Sequence, residues 1–176
     1  MKSGVTEPVL THTLIIGYGN TLRRDDGVGP MIIQWLRQIR DATVRECLTQ
    51  SMVETLPNGR VSDDLQFLDA HQLLPEHAEP VSNVRRVIFI DADITVAPGR
   101  VKFRRIHAKM PSNPSVGHNV SPELILTLAD ALYGHAPPAT VIAIGVSSLD
   151  LGEGLTPQVE SVARRLVKHL SYWLTR

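Results

Sequence analysis

Short apolar runs alternate along the chain with longer stretches in which apolar residues recur every three or four positions. Thr13 to Ile16 is a brief apolar run ending at Gly17, the mark of a buried strand. After a glycine-rich loop, Gly17 to Gly29, a helical pattern starts at Pro30, with Val28, Ile32, Trp35, Leu36 and Ile39 on one face. Proline suits a first helical position because its missing N–H would have no partner there. Arg45 to Asp64 has no pattern and contains the turn signal Leu56-Pro57-Asn58-Gly59, which predicts a long loop or partly ordered insertion. Leu65 to Ala70 reads as a second strand and Leu73 to Ala78 as a short helix. Val84 to Ile90 reads as a third strand whose end, Val87 to Ile90, is wholly apolar, as in a strand covered on both faces.

About nine residues, Pro98-Gly99 among them, link that strand to Arg100 to Ile106. So short a link cannot hold a helical crossover, which makes these two strands antiparallel. Val101 and Phe103 alternate with Lys102 and Arg104, as on an edge strand with one wet face. Ser121-Pro122 opens another helix, with Leu124, Leu128, Ala131 and Leu132 as its buried stripe. Residues 139–146 form the fifth strand. Thr156-Pro157 caps a long final helix that keeps its period through Val159, Val162, Ala163, Leu166, Val167, Leu170, Trp173 and Leu174. The alternation predicts one α/β domain over residues 1–176: a three-layer sandwich with a five-stranded, mostly parallel sheet, one antiparallel edge strand, and flanking helices.

Composition narrows the function. Apolar residues make up 43% of the 176, enough for a packed core. Eighteen Lys+Arg balance eighteen Asp+Glu, and aromatics are only 5%, so neither charge nor base-stacking surface points to nucleic acid. No apolar stretch approaches the roughly 18 residues of a membrane span, and the N-terminal residues carry no apolar signal segment. Cys47 is the only cysteine, which excludes internal disulfides and thiolate-rich metal sites and fits a reducing compartment, hence a cytoplasmic protein.

In an open α/β sheet, ligands bind outside the carboxyl ends of the strands. Three features fall there: the loop Gly17 to Gly29 with Asp25 and Asp26, the third-strand end at Asp91, and His118 in the loop Pro111 to Val120. Two carboxylates and an imidazole on one rim suit zinc or nickel. Taken singly, each has a plainer account. Gly17-x-Gly19 fits an ordinary strand–turn–helix connection, and Leu22 stands where a dinucleotide fingerprint needs a third glycine. Asp25 and Asp26 suit any helix N-terminus, Asp91 any turn, and His118 any solvated loop. The chain has neither a Gly-x-Ser-x-Gly elbow nor a phosphate-binding P-loop, and Cys47 has no placed base.

Taken together, Gly17-Tyr18-Gly19-Asn20-Thr21-Leu22-Arg23-Arg24-Asp25-Asp26-Gly27-Val28-Gly29 resembles the N-terminal signature of the [NiFe]-hydrogenase maturation endopeptidases. Phe89-Ile90-Asp91-Ala92 with Ala97-Pro98-Gly99 is similar to that family's strand-Asp-Ala and Pro-Gly turn. Ser115 to Leu126 resembles its histidine loop, and Ile144 to Pro157 its closing segment. The resemblance implies a peptidase, aspartyl-type by its carboxylates, that trims the C-terminal extension of a [NiFe]-hydrogenase large-subunit precursor after nickel insertion. It implies nickel, supplied by the precursor, held by Asp26, Asp91 and His118, and a substrate-binding role for Gly19, Asn20, Asp69, His71 and Gln72. Asp69-Ala70-His71-Gln72 departs from the family's usual Asp-Gly-Gly-Thr box; with Leu73 to Glu76 it looks like the variant serving NAD-linked bidirectional hydrogenases. The alternative is a non-catalytic nucleotide- or metal-binding module on the same sheet. A ribose-binding acid should then lie about 20 residues past the glycines, and the nearest strand-end acid, Asp69, is too distant.

Overall fold

A computed structural model describes residues 13–50, 65–109 and 120–172. One five-stranded sheet organises them, in the order β2-β1-β3-β5-β4. The strands are β1 (Thr13–Tyr18), β2 (Leu65–Ala70), β3 (Val87–Asp93), β4 (Val101–Ile106) and β5 (Ala139–Gly145). β1 pairs in parallel with β2 and β3, and β3 with β5; β4 alone runs antiparallel, along β5. Nothing helical intervenes between β3 and β4. The helices are α1 (Val28–Gln50), α2 (Ala78–Ser82), α3 (Pro122–Tyr133) and α4 (Pro157–Ser171).

Side chains alternate across each strand, and the two faces feed two cores. Ile15, Ile88, Ile90, Ile142 and Ile144 pack with α1 and α4 residues such as Ile32, Leu36, Val159 and Leu166. Leu14, Ile16, Val87, Phe89 and Val141 pack with Val81 of α2 and Ile125, Leu126 and Ala129 of α3. This is the three-layer sandwich expected from the alternation.

Several boundaries move. α1 begins at Val28 rather than Pro30 and continues helical through Gln50, so Arg45 to Gln50 is helix and not loop; residues 51–64 lie outside the described residues. The short helix after β2 is a 3-10 turn at Pro75–His77 leading into α2, later than the expected Leu73 to Ala78. On α3 the buried face is Pro122, Ile125, Leu126 and Ala129, and Leu132 is 66% exposed. The expected stripe of Leu124, Leu128, Ala131 and Leu132 was therefore rotated out of phase, because this helix is apolar on most sides and its period alone picks no face. α4 buries Val159, Val162, Ala163, Leu166, Val167 and Leu170 as expected; Trp173 and Leu174 lie outside the described residues.

The glycines of the first loop serve close backbone approach. A Cβ on Gly29 would lie 2.6 Å from the Tyr18 carbonyl oxygen and 2.7 Å from that of Ile90. α1 therefore starts directly against β1 and β3. Gly29→Ala should push this first turn off the sheet and cost about 1–3 kcal/mol, measured as a lower Tm. An unchanged Tm would show that the helix start is not seated as tightly as this contact requires.

Candidate active site

The site lies at the carboxyl ends of β1 and β3. β1 delivers Tyr18 to the α3 face of the sheet, the side on which Ile16 also packs. The chain then turns at Gly19, whose φ of 138° and whose absent Cβ (it would lie 1.9 Å from the Asp26 carbonyl oxygen) admit only glycine. Asn20 follows. Its backbone N–H donates to Asp26 Oδ2 at 2.9 Å, and its side-chain Oδ1 accepts the Leu22 N–H at 2.9 Å. Asn20 thus shapes the loop that presents Asp26.

The two neighbouring aspartates part company here. Asp25 is fully buried. Its Oδ2 accepts the N–H groups of Ser147 (2.9 Å) and Ser148 (3.1 Å) and the Thr156 hydroxyl (2.9 Å), while Oδ1 accepts the Thr156 N–H (2.6 Å). Backbone bonds from Arg24 N to Gly152 O (2.8 Å) and from Gly152 N to Leu22 O (2.9 Å) extend the same seam. Arg24 takes a left-handed φ of 45° to reach it, a conformation a long side chain adopts only under external constraint. Asp25 is therefore the clasp between the first loop and the segment after β5. Thr156, expected as the α4 cap, makes no side-chain cap bond; its hydroxyl serves Asp25 instead. Asp26 is only partly buried and stays open to the rim.

Asp91 sits within β3, paired with Ala143 of β5, and not on a loop as expected. It is held by the Tyr18 hydroxyl, which donates to its carboxylate, and by the Ala92 N–H. Burial pushes Asp91 up to about 6 against those two bonds, and the nearby Asp26 and Asp93 charges add to the rise. Burial first, then the Asp91 charge, drives Tyr18 strongly upward, so its hydroxyl stays a donor. The turn Arg24–Gly27 that carries Asp26 contacts β3, near enough for the Asp26 charge to bear on Asp91. His118 lies outside the described residues, and among the described residues no group of three His, Cys, Asp or Glu is gathered for a metal ion.

Beside Asp91 opens a cavity of about 240 Å³, lined by Tyr18 and Asp91 on one side, Lys102 and Arg104 of β4 on the other, and Glu123 of α3 above. Arg104 bonds Glu123 at 2.6 Å. Burial works to raise Glu123, but that guanidinium outweighs it and holds the carboxyl below its ordinary range. Asp93 is likewise held low, first by the Thr95 hydroxyl and also by Lys102. Tyr18 and this cavity were missed in the sequence. The strand alternation that puts Tyr18 beside Ile16 was the available signal.

The other expected contact residues lie at the end of β2. Asp69 is half-exposed and ion-paired to Arg37 of α1, whose guanidinium also donates to the Phe67 carbonyl at 3.0 Å. His71 and Gln72 are exposed just beyond it, and Gly19 N–H donates to the Ala70 carbonyl at 3.0 Å, which joins this end to the first loop.

No protein-family model and no curated protein matches the chain. Solved structures do. HycI, a [NiFe] hydrogenase maturation protease from Thermococcus kodakarensis KOD1, superposes with a TM-score of 0.63 at 18% identity over 94% of both chains. The hydrogenase maturating endopeptidase HybD from E. coli gives 0.60 at 24% identity, over 93% of this chain and 92% of its own. A hydrogenase 2 maturation peptidase from a Thaumarchaeota archaeon gives 0.56 at 21% identity, over 93% and 97%. The chain shares the fold of hydrogenase maturation proteases across nearly its whole described length. Among the described residues no helix is long and apolar enough to cross a membrane.

Proposed function

We propose that this chain is an endopeptidase that removes the C-terminal extension of a [NiFe]-hydrogenase large-subunit precursor once nickel has been inserted. The observation that carries the reading is Asp91, buried at the carboxyl end of β3 beside a cavity and next to the turn Arg24–Gly27 that bears Asp26, on the fold of proteins described as hydrogenase maturation proteases. Nickel belongs to the substrate. Asp26 and Asp91 offer it oxygen ligands and His118 a nitrogen, a donor set suited to borderline divalent ions. Asp26, Asp91 and His118 would hold the metal, which would supply Lewis acidity toward a scissile carbonyl or a water, and a carboxylate would serve as base. The variant box at Asp69 to Gln72 favours a large subunit of the NAD-linked bidirectional type, and the lone Cys47 accords with a reducing, cytoplasmic compartment.

Purified precursor, loaded and empty, tests this reading. Loaded precursor should be shortened at its C-terminus and empty precursor left intact, as read by mass spectrometry. The protease alone should purify largely metal-free, with a Tm that chelator does not move, because three open ligands bind a free ion weakly and its fold does not depend on metal. Cleavage of both forms at one rate sinks nickel-gated processing.

A further inference from the structure

The outer edge of β4 is strongly basic. Residues 100–109 carry Arg100, Lys102, Arg104, Arg105 and Lys109 and no carboxylate, in a chain whose formal net charge is +0. All five are exposed. Arg104 is paired with Glu123, and Lys102 lies close enough to Asp93 to influence it. Arg100, Arg105 and Lys109 have no ion pair among the described residues. Phe103, in the middle of this strip, is 64% exposed.

β4 pairs with β5 on one side only, and its other side is open among the described residues. Gly145 N–H donates to the Arg100 carbonyl at 2.8 Å, and the register runs Lys102↔Ala143 and Arg104↔Val141. Backbone groups alternate along an antiparallel ladder, so residues 102, 104 and 106 turn theirs toward β5. Val101, Phe103 and Arg105 then turn their N–H and C=O groups outward, unpaired. Charged residues alone would suffice to keep such an edge from aggregating. An exposed aromatic among them works against that purpose, and the edge adjoins the cavity that leads to Asp91.

We infer that β4 receives an extended, acidic peptide segment by strand addition, its backbone bonding to residues 101, 103 and 105 and its carboxylates meeting Lys102 and Arg104 on the α3 face of the sheet and Arg105 on the other. Main-chain bonds supply affinity in this mode, and side-chain chemistry supplies selectivity. On the α3 face Lys102 and Arg104, which share the cavity with Asp91, would hand the segment toward it, so it belongs to the protein substrate. That last assignment rests on the peptidase reading; the binding itself does not.

The probe is a fluorescein-labelled, end-blocked octapeptide of alternating Glu and Thr, followed by anisotropy. It should bind at least tenfold more tightly than its Lys-for-Glu counterpart, and more weakly as salt rises. N-methylation of alternate amides should cost at least tenfold, because it removes the donors that meet the edge. Phe103→Pro should cost as much while the Tm holds, since the lost N–H points away from β5. Amide shifts on binding should centre on residues 101–106. Equal binding of the N-methylated peptide overturns strand addition even if Phe103→Pro fails to fold. Equal binding of the Lys peptide, or tighter binding of a single-stranded oligonucleotide, overturns the acidic occupant. An active peptidase that ignores the Glu peptide refutes this inference alone; an inactive one that binds it refutes only the peptidase reading.

Discussion

Asp25→Ala should lower the Tm by about 10 °C, while Asp26→Ala, one residue on, should leave it within about 2 °C. Asp25 is fully buried and accepts four hydrogen bonds, from Ser147, Ser148 and both the backbone and hydroxyl of Thr156. Removing the carboxylate strands these donors where water enters only in part, at about 1–3 kcal/mol for each donor left dry. Partial rehydration brings the total to about 3–4 kcal/mol, and a domain of this size loses roughly 2–4 °C per kcal/mol. Asp26 accepts one described bond, from the Asn20 N–H, and water at the rim replaces it. Paired thermal melts measure the contrast. Equal Tm values for the two variants would mean that the seam between residues 20–27 and 147–156 does not hold the site together.

That contrast marks what could be read in advance. β2 was legible to the residue as a short run between breaks in the pattern, and β4 nearly so because its polar–apolar alternation has one reading at strand length. β3 was placed at 84–90 and runs Val87–Asp93. Its acidic end looked like a strand terminus, whereas the Tyr18 hydroxyl lets Asp91 stay in the ladder, and that contact joins residues 73 positions apart in sequence. α3 was located by its Ser121-Pro122 start, where Ser121 Oγ accepts the Leu124 N–H at 3.2 Å, but its inward face was not, since an almost uniformly apolar helix carries no phase. Two adjacent aspartates are indistinguishable by pattern. Which one turns inward depends on the loop after β5, more than 120 residues away.

Asp91→Asn should reduce processing of nickel-loaded precursor at least 100-fold without a change in Tm beyond about 2 °C. Asparagine keeps the shape and keeps an oxygen to accept the Tyr18 hydroxyl, so the strand and its neighbours need not shift. What it removes is the negative charge that, on the proposed function, a nickel-loaded precursor would meet. A divalent ion at this rim would favour the charged form of Asp91 against the burial and the Asp26 charge that push it up, so the metal should be drawn to the two carboxylates more than to either alone. Asp26→Asn should behave alike, because its oxygen still accepts the Asn20 N–H. His118→Ala should weaken association with loaded precursor and leave that with empty precursor unaltered. Affinities of wild type and the three variants for both precursor forms decide the matter. Nickel-gated recognition predicts a wide gap between the forms for wild type that collapses in each variant, because only the metal contact is lost. If wild type binds both forms equally, the carboxylate pair serves a metal of the protease's own or none, and selection of mature precursor must lie elsewhere on its surface.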